Sequence, residues 1–125
     1  MDSELTQAEF VALVEDAVAG LPVEILQHLS NVAVTVSDWP TGHELQRAGV
    51  DHPWQLFGLY EGVPLTRRGT HYNLIAPDRI VIYWGPLQRS FATASAIRKQ
   101  VRRTVVHEIA HHFGISETRI RELGF

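Results

Sequence analysis

The stretch VVHEIAHHFGISETRI, from Val105 to Ile120, sets His107 and His111 four residues apart, with Glu108 directly after the first histidine. On an α-helix, residues four apart lie about 40° apart around the axis and one turn apart along it, so the two imidazoles share a face and can grip one ion. Glu108 lies about 100° from His107 and about 60° from His111, close enough to reach a water held on that ion without filling a ligand position. A zinc ion lowers the pKa of such a water to about 7, and a nearby carboxylate can take its proton during attack on a polarised carbonyl, then return it to the departing amine. The spacing therefore predicts Zn2+ on His107 and His111, with Glu108 as general base.

Catalytic zinc usually takes three protein ligands and keeps the fourth position for water. Gly114 suits a left-handed turn that reverses the chain, after which Glu117, ten residues past His107, can swing back as the third ligand. The whole reads His-Glu-x-x-His-x-x-Gly-x-x-Glu. His112 points about 100° away from His111, which fits packing under the final helix or a hydrogen bond to a ligand better than coordination. His28, His43, His52 and His71 are scattered through other segments and read as ordinary surface or loop residues, His52 being the best outsider. Arg98, Lys99, Arg102 and Arg103 precede the motif; without interleaved aromatics they read as a solvated helix face rather than an anion or nucleic-acid patch.

These residues need elements to hold them. Ile97, Val101, Val105, Ile109 and Phe113 step by four, which predicts one long helix from about Ala94 to Phe113, its core stripe turned away from the histidines. Gly114 stops it, and Ser116 caps a short final helix carrying Ile120 and Leu123. At the other end, Thr6 and Glu9 form a capping box ahead of Phe10, Leu13, Val14, Ala17 and Val18, an amphipathic helix running to Gly20. VEILQHL reads as a second, short helix ending near Ser30.

Val32, Val34 and Val36 alternate as a strand with one buried face, broken by DWPTG. His43 to Pro53 has no clear period and reads as loop or short helix. QLFGLY is a strand candidate, Glu61-Gly62 a turn, and Pro64 confines the residues after it to a sheet edge or a loop. RIVIYW is near-continuously apolar, as a strand buried on both faces would be, with Pro77-Asp78 and Gly85-Pro86 as its limits. Trp39, Trp54 and Trp84 fit the core or its margin. Helices, then strands, then helices describe an α+β domain.

With 125 residues, one domain spanning 1–125 buries a core more effectively than two halves would. A net charge of -3 gives no general attraction to nucleic acid or to anionic membrane surfaces. The absence of cysteine leaves His, Asp, Glu and water as metal ligands. The acidic start MDSELTQAEF lacks a secretory signature and no run is long enough to span a bilayer, so a cytoplasmic location is expected.

The 105–120 segment resembles the extended zinc signature of metzincin-type metallopeptidases. Together with LFGLYEGVPLTRR and PDRIVIYWGPLQR it is similar to the minimal zincin-like family of small, mostly actinobacterial proteins. That resemblance implies a compact α+β zincin core, with a small mixed sheet packed against N-terminal helices and a long active-site helix, and a zinc-dependent peptidase acting on a peptide or protein. In such relatives the third-ligand position is typically Asp, whereas Glu117 is one methylene longer; a methionine turn has no counterpart either, since Met1 is the only methionine. FGLYEGV is the candidate edge along which a peptide would add as a strand, or else a strand that merely pairs within the sheet. The short C-terminal segment supports an alternative: a non-catalytic metal-binding or interaction module whose cleft is completed by a protein partner.

Overall fold

A computed structural model describes residues 5–62 and 77–125 of the chain; the readings made at Pro64 and His71 lie outside those residues. Helix α1 (Gln7–Ala19) starts as expected, with the Thr6 hydroxyl accepting from Glu9 N–H at 3.1 Å and the Glu9 carboxylate accepting from Thr6 N–H at 2.8 Å. It buries Phe10, Leu13, Val14 and Ala17. Helix α2 (Val23–His28) and a 3-10 turn (Leu29–Asn31) lead into strand β1 (Val32–Ser37). The unperiodic stretch after it holds helix α3 (Gly42–Ala48), launched by a second capping box of Thr41 and Glu44.

Strand β2 (Gly58–Glu61) comes after a 3-10 turn at Pro53–Gln55. Strand β3 (Asp78–Tyr83) then lies between the other two, in the order β1-β3-β2. It runs parallel to β1, with Val34 opposite Ile80, and antiparallel to β2, with Tyr60 opposite Ile80. The sheet is therefore small and mixed. β3 is buried on both faces, as its sequence predicted: Ile80 and Ile82 enter the main core, while Val81 and Tyr83 pack with Leu56 and, from α3, Leu45 and Ala48. Burying each such aliphatic side chain contributes about 1.5–3 kcal/mol relative to leaving it exposed.

The Gly85-Pro86 pair does not end the structured run. β3 does stop at Tyr83, yet helix α4 (Trp84–Ser90) begins at once, with both residues in its first turn. Pro86 is tolerated there because first-turn N–H groups have no intrahelical acceptor to lose. A Cβ on Gly85 would overlap the indole of Trp39, which lies directly on this backbone. Trp39 and Trp54 remain substantially exposed, the latter stacked on His52 and covered by the Arg89 guanidinium.

Helix α5 (Ala94–Phe113) is capped by the Thr93 hydroxyl, which accepts from Ala96 N–H at 3.1 Å. Ile97, Val101, Val105 and Ile109 are buried, joined by Val106 and Ala110. Phe113 departs from the expected stripe: it is 42 % exposed and rests on the rings of His28 and His112. A step of four residues drifts about 40° around the axis, so four steps from Ile97 carry Phe113 far off the core line. Gly114 adopts φ 75°, and the Ser116 hydroxyl caps helix α6 (Glu117–Glu122), which buries Ile120. Among the described residues no helix is long and apolar enough to cross a membrane.

Candidate metal centre

Because α5 keeps its apolar stripe against α1 and the sheet, its remaining surface forms two polar rows at four-residue spacing. Gln100, Thr104, Glu108 and His112 make the row that lies along β2. Arg103, His107 and His111 make the next row outward.

The first row is fixed to the strand at three points. Thr104 Cγ2 stands 2.7 Å from where a Cβ on Gly58 would be, so the missing side chain is what lets helix and strand approach. Tyr60 N–H donates to Glu108 Oε1 at 2.7 Å. Among the described residues β2 pairs only with β3, and this N–H belongs to its other edge, the one facing α5. The Tyr60 ring stacks on His112 with centroids 3.9 Å apart, and its hydroxyl donates to Asp78 Oδ2 at 2.7 Å. His112 Nε2 is 3.9 Å from the same Asp78 oxygen. His112 thus packs against the sheet and not under the final helix, because its place on the Glu108 row turns it toward β2.

In the second row, the rings of His107 and His111 are 6.4 Å apart at 74° to each other. His107 Nε2 is buried and has no hydrogen-bond partner among the described residues. A buried ring nitrogen left without a partner is costly unless something binds it, and an unprotonated imidazole nitrogen is a zinc ligand. His111 is exposed one turn on. Glu117 is the first residue of α6 and is exposed, and its position beyond the Gly114 turn does not gather it with the two histidines: among the described residues no three His, Asp or Glu side chains are grouped to hold an ion. His107 and His111 stand one turn apart on one face of α5, and Glu117 follows the Gly114 turn.

A groove of about 330 Å³ opens between β2 and α5, lined by Phe57, Gly58, Gln100, Arg103, Thr104, His107 and Glu108. The expected imidazole and the expected base therefore share one cavity wall. The basic run is divided by the packing: Arg98 meets Asp16 at 3.1 Å, and Arg102 Nε donates to Ala17 O at 3.2 Å, both on α1. Arg103 faces the groove instead. Sequence reasoning singled out FGLYEGV as a candidate edge, but not the Tyr60 main chain as the anchor of Glu108 nor Gly58 as the point of close approach; the signal for the second was an isolated glycine inside a strand-like run.

A family model described as Zincin-like metallopeptidase matches residues 29–125. Among solved structures, a conserved hypothetical protein from Thermus thermophilus is similar over 87 % of this chain and 94 % of its own, at 22 % identity and a TM-score of 0.54. That likeness shows a shared fold. No curated protein matches the chain.

Proposed function

Since this chain belongs to the Zincin-like metallopeptidase family, we propose that it is a zinc-dependent peptidase whose metal would be held by His107 and His111, with Glu117, which is not grouped with them in this structure, closing in as the third ligand, and whose general base is Glu108. The observation that carries this reading is the groove in which the buried, unpartnered Nε2 of His107 and the strand-anchored carboxylate of Glu108 stand side by side. When bound, zinc polarises a carbonyl and acidifies a water.

The chain's own residues supply the rest. Tyr60 N–H holds Glu108 Oε1 and fixes the carboxylate plane, leaving Oε2 to take the proton from the attacking water and pass it to the amine nitrogen as the amide bond breaks. Gly58 keeps the β2 edge close to α5, so an extended peptide can lie along the groove past both groups. His107 and His111 orient the ion from one rigid helix, which keeps the reacting centre in register with the base. A cytoplasmic setting and a peptide or protein substrate belong to the same proposal.

Protein purified without chelator and assayed for metal content, alongside Glu108→Gln, tests it. The expected result is one zinc per chain in both forms, with cleavage of a peptide library by the parent and a loss of about 10²- to 10⁴-fold in the variant. Zinc-loaded parent protein that cleaves nothing in the library overturns the reading.

A further inference from the structure

We propose that Arg103 makes the groove selective for a carboxylate on the peptide, one or two residues from the bond that is cut. This rests on the peptidase reading for the identity of the ligand as a peptide, while the recognition itself rests on the side chains of the groove.

Among the described residues, most of the other arginines are committed elsewhere, Arg121 at the exposed end of α6 excepted. Arg47 and Arg79 share Glu61, Arg98 meets Asp16, Arg102 bonds to the Ala17 carbonyl, Arg89 lies on Trp54, and Arg119 is held by Glu24 and Glu122. Arg103 lines the groove and has no hydrogen bond, ion pair or ring contact among the described residues. A guanidinium offers a planar fork of donors matched to a carboxylate. Arg103 is exposed on the wall of the groove and pairs with no acid among the described residues, so it is available to an external anion.

Position sets where that anion must sit. Arg103 precedes His107 by four residues in the same helix, which is about 6 Å along the axis. An extended peptide advances about 3.3–3.6 Å per residue, so a carboxylate held at Arg103 lies one or two residues from a carbonyl held at His107. Gln100 stands one turn further on, its side-chain amide donating to Thr104 Oγ1 at 3.1 Å, and closes that end of the groove with neutral polar groups. Glu108, the one acid among the described lining residues, is tied back to the strand by Tyr60 N–H. Two peptide groups carry the required chemistry: the terminal carboxylate of a short product-like chain, or an internal Asp or Glu.

The test uses full-length Glu108→Gln protein with zinc added, titrated calorimetrically with acetyl-blocked pentapeptide pools. Each pool is supplied as the free acid and as the C-terminal amide, and in versions with Glu or Gln at each internal position. The expected result is a preference of about 10- to 100-fold for the carboxylate form in one of the two series. Preference for the free acid identifies the terminus, and preference for internal Glu over Gln identifies the side chain. Adding Arg103→Ala removes the preference, Arg103→Lys keeps part of it, and Lys99→Ala, which removes the same charge from an exposed position on the same helix, leaves it intact. Equal binding of both forms, no binding at millimolar peptide, or a preference that survives Arg103→Ala overturns the proposal. Cleavage by the parent without any carboxylate preference sinks this inference alone; carboxylate-selective binding without any cleavage sinks the peptidase reading and leaves this one standing.

Discussion

Tyr60 N–H donates to Glu108 Oε1 across 2.7 Å, joining an edge strand to the helix that carries the metal motif over a sequence separation of 48 residues. The Glu108 carboxylate is therefore aimed by the main chain of a strand as well as by its own helix. Glu108→Asp keeps the charge but shortens the side chain by a methylene, so the carboxylate cannot meet the strand and the groove at once. A misplacement of about 1 Å can cost about 10² in rate; the expected outcome is a drop of that size in turnover, with zinc content per chain unchanged by metal analysis.

The unpartnered Nε2 of His107 makes a second expectation. Metal that binds only the folded chain raises its stability, by about 2.7 kcal/mol when the free ion is at 100 times its dissociation constant. Thermal unfolding with and without added zinc should show that increment in the parent, and neither His107→Ala nor His111→Ala should retain it. Glu117→Ala should weaken zinc binding by at least about tenfold if its carboxylate completes the set, and an unchanged affinity would remove it from the ligands.

Gly58 is the point where backbone clearance matters most to the groove. A methyl there would stand 2.7 Å from Thr104 Cγ2 and 3.0 Å from the Val81 carbonyl oxygen. Gly58→Ala should destabilise by about 1–3 kcal/mol, the usual cost of overpacking. Pairing it with Thr104→Ala should restore only part of that loss in a denaturant melt, since the carbonyl contact remains.

Acid should loosen the attachment of α6. Arg119 donates to Glu24 Oε1 from Nε at 2.9 Å and Nη2 at 2.6 Å, tying α6 to α2, and this contact holds the Glu24 pKa below its ordinary 4.5. With the native pKa lowered, the pair contributes fully above pH 4.5 and its contribution is lost as pH falls through the lowered value. Both partners are partly exposed, so added salt should weaken it too. Glu24→Gln should lower the thermal midpoint slightly at neutral pH, where the pair contributes, and flatten the acid limb so that the two profiles converge below pH 4.5.

Much of the frame could be read along the chain because its signals are local. The Thr6 and Glu9 box, the four-step stripe of α5, the Gly114 stop and the two-sided burial of β3 are all written in neighbouring residues. The α3 helix was harder, since it buries none of its residues and so carries no apolar period, although Thr41 and Glu44 spell the same capping box as α1. α4 was obscured by Gly85-Pro86, whose breaker character is cancelled by placement in a first turn. At the site, the spacing of His107 and His111 comes from helix geometry alone. The Tyr60 anchor does not, for it depends on which edge of β2 faces α5, and that is decided by pairing between distant strands.

The family resemblance covers residues 29–125, yet α1 lies before it and is bolted to α5 through Phe10, Leu13, Val14 and Ala17, with Arg98 and Arg102 reaching across. The region the family model matches and the region that shares one packed core are thus different lengths of chain. A fragment trimmed to the shared region would retain His107, Glu108, His111 and Glu117 while turning Ile97 and Val101 out to water, and it should precipitate or melt early.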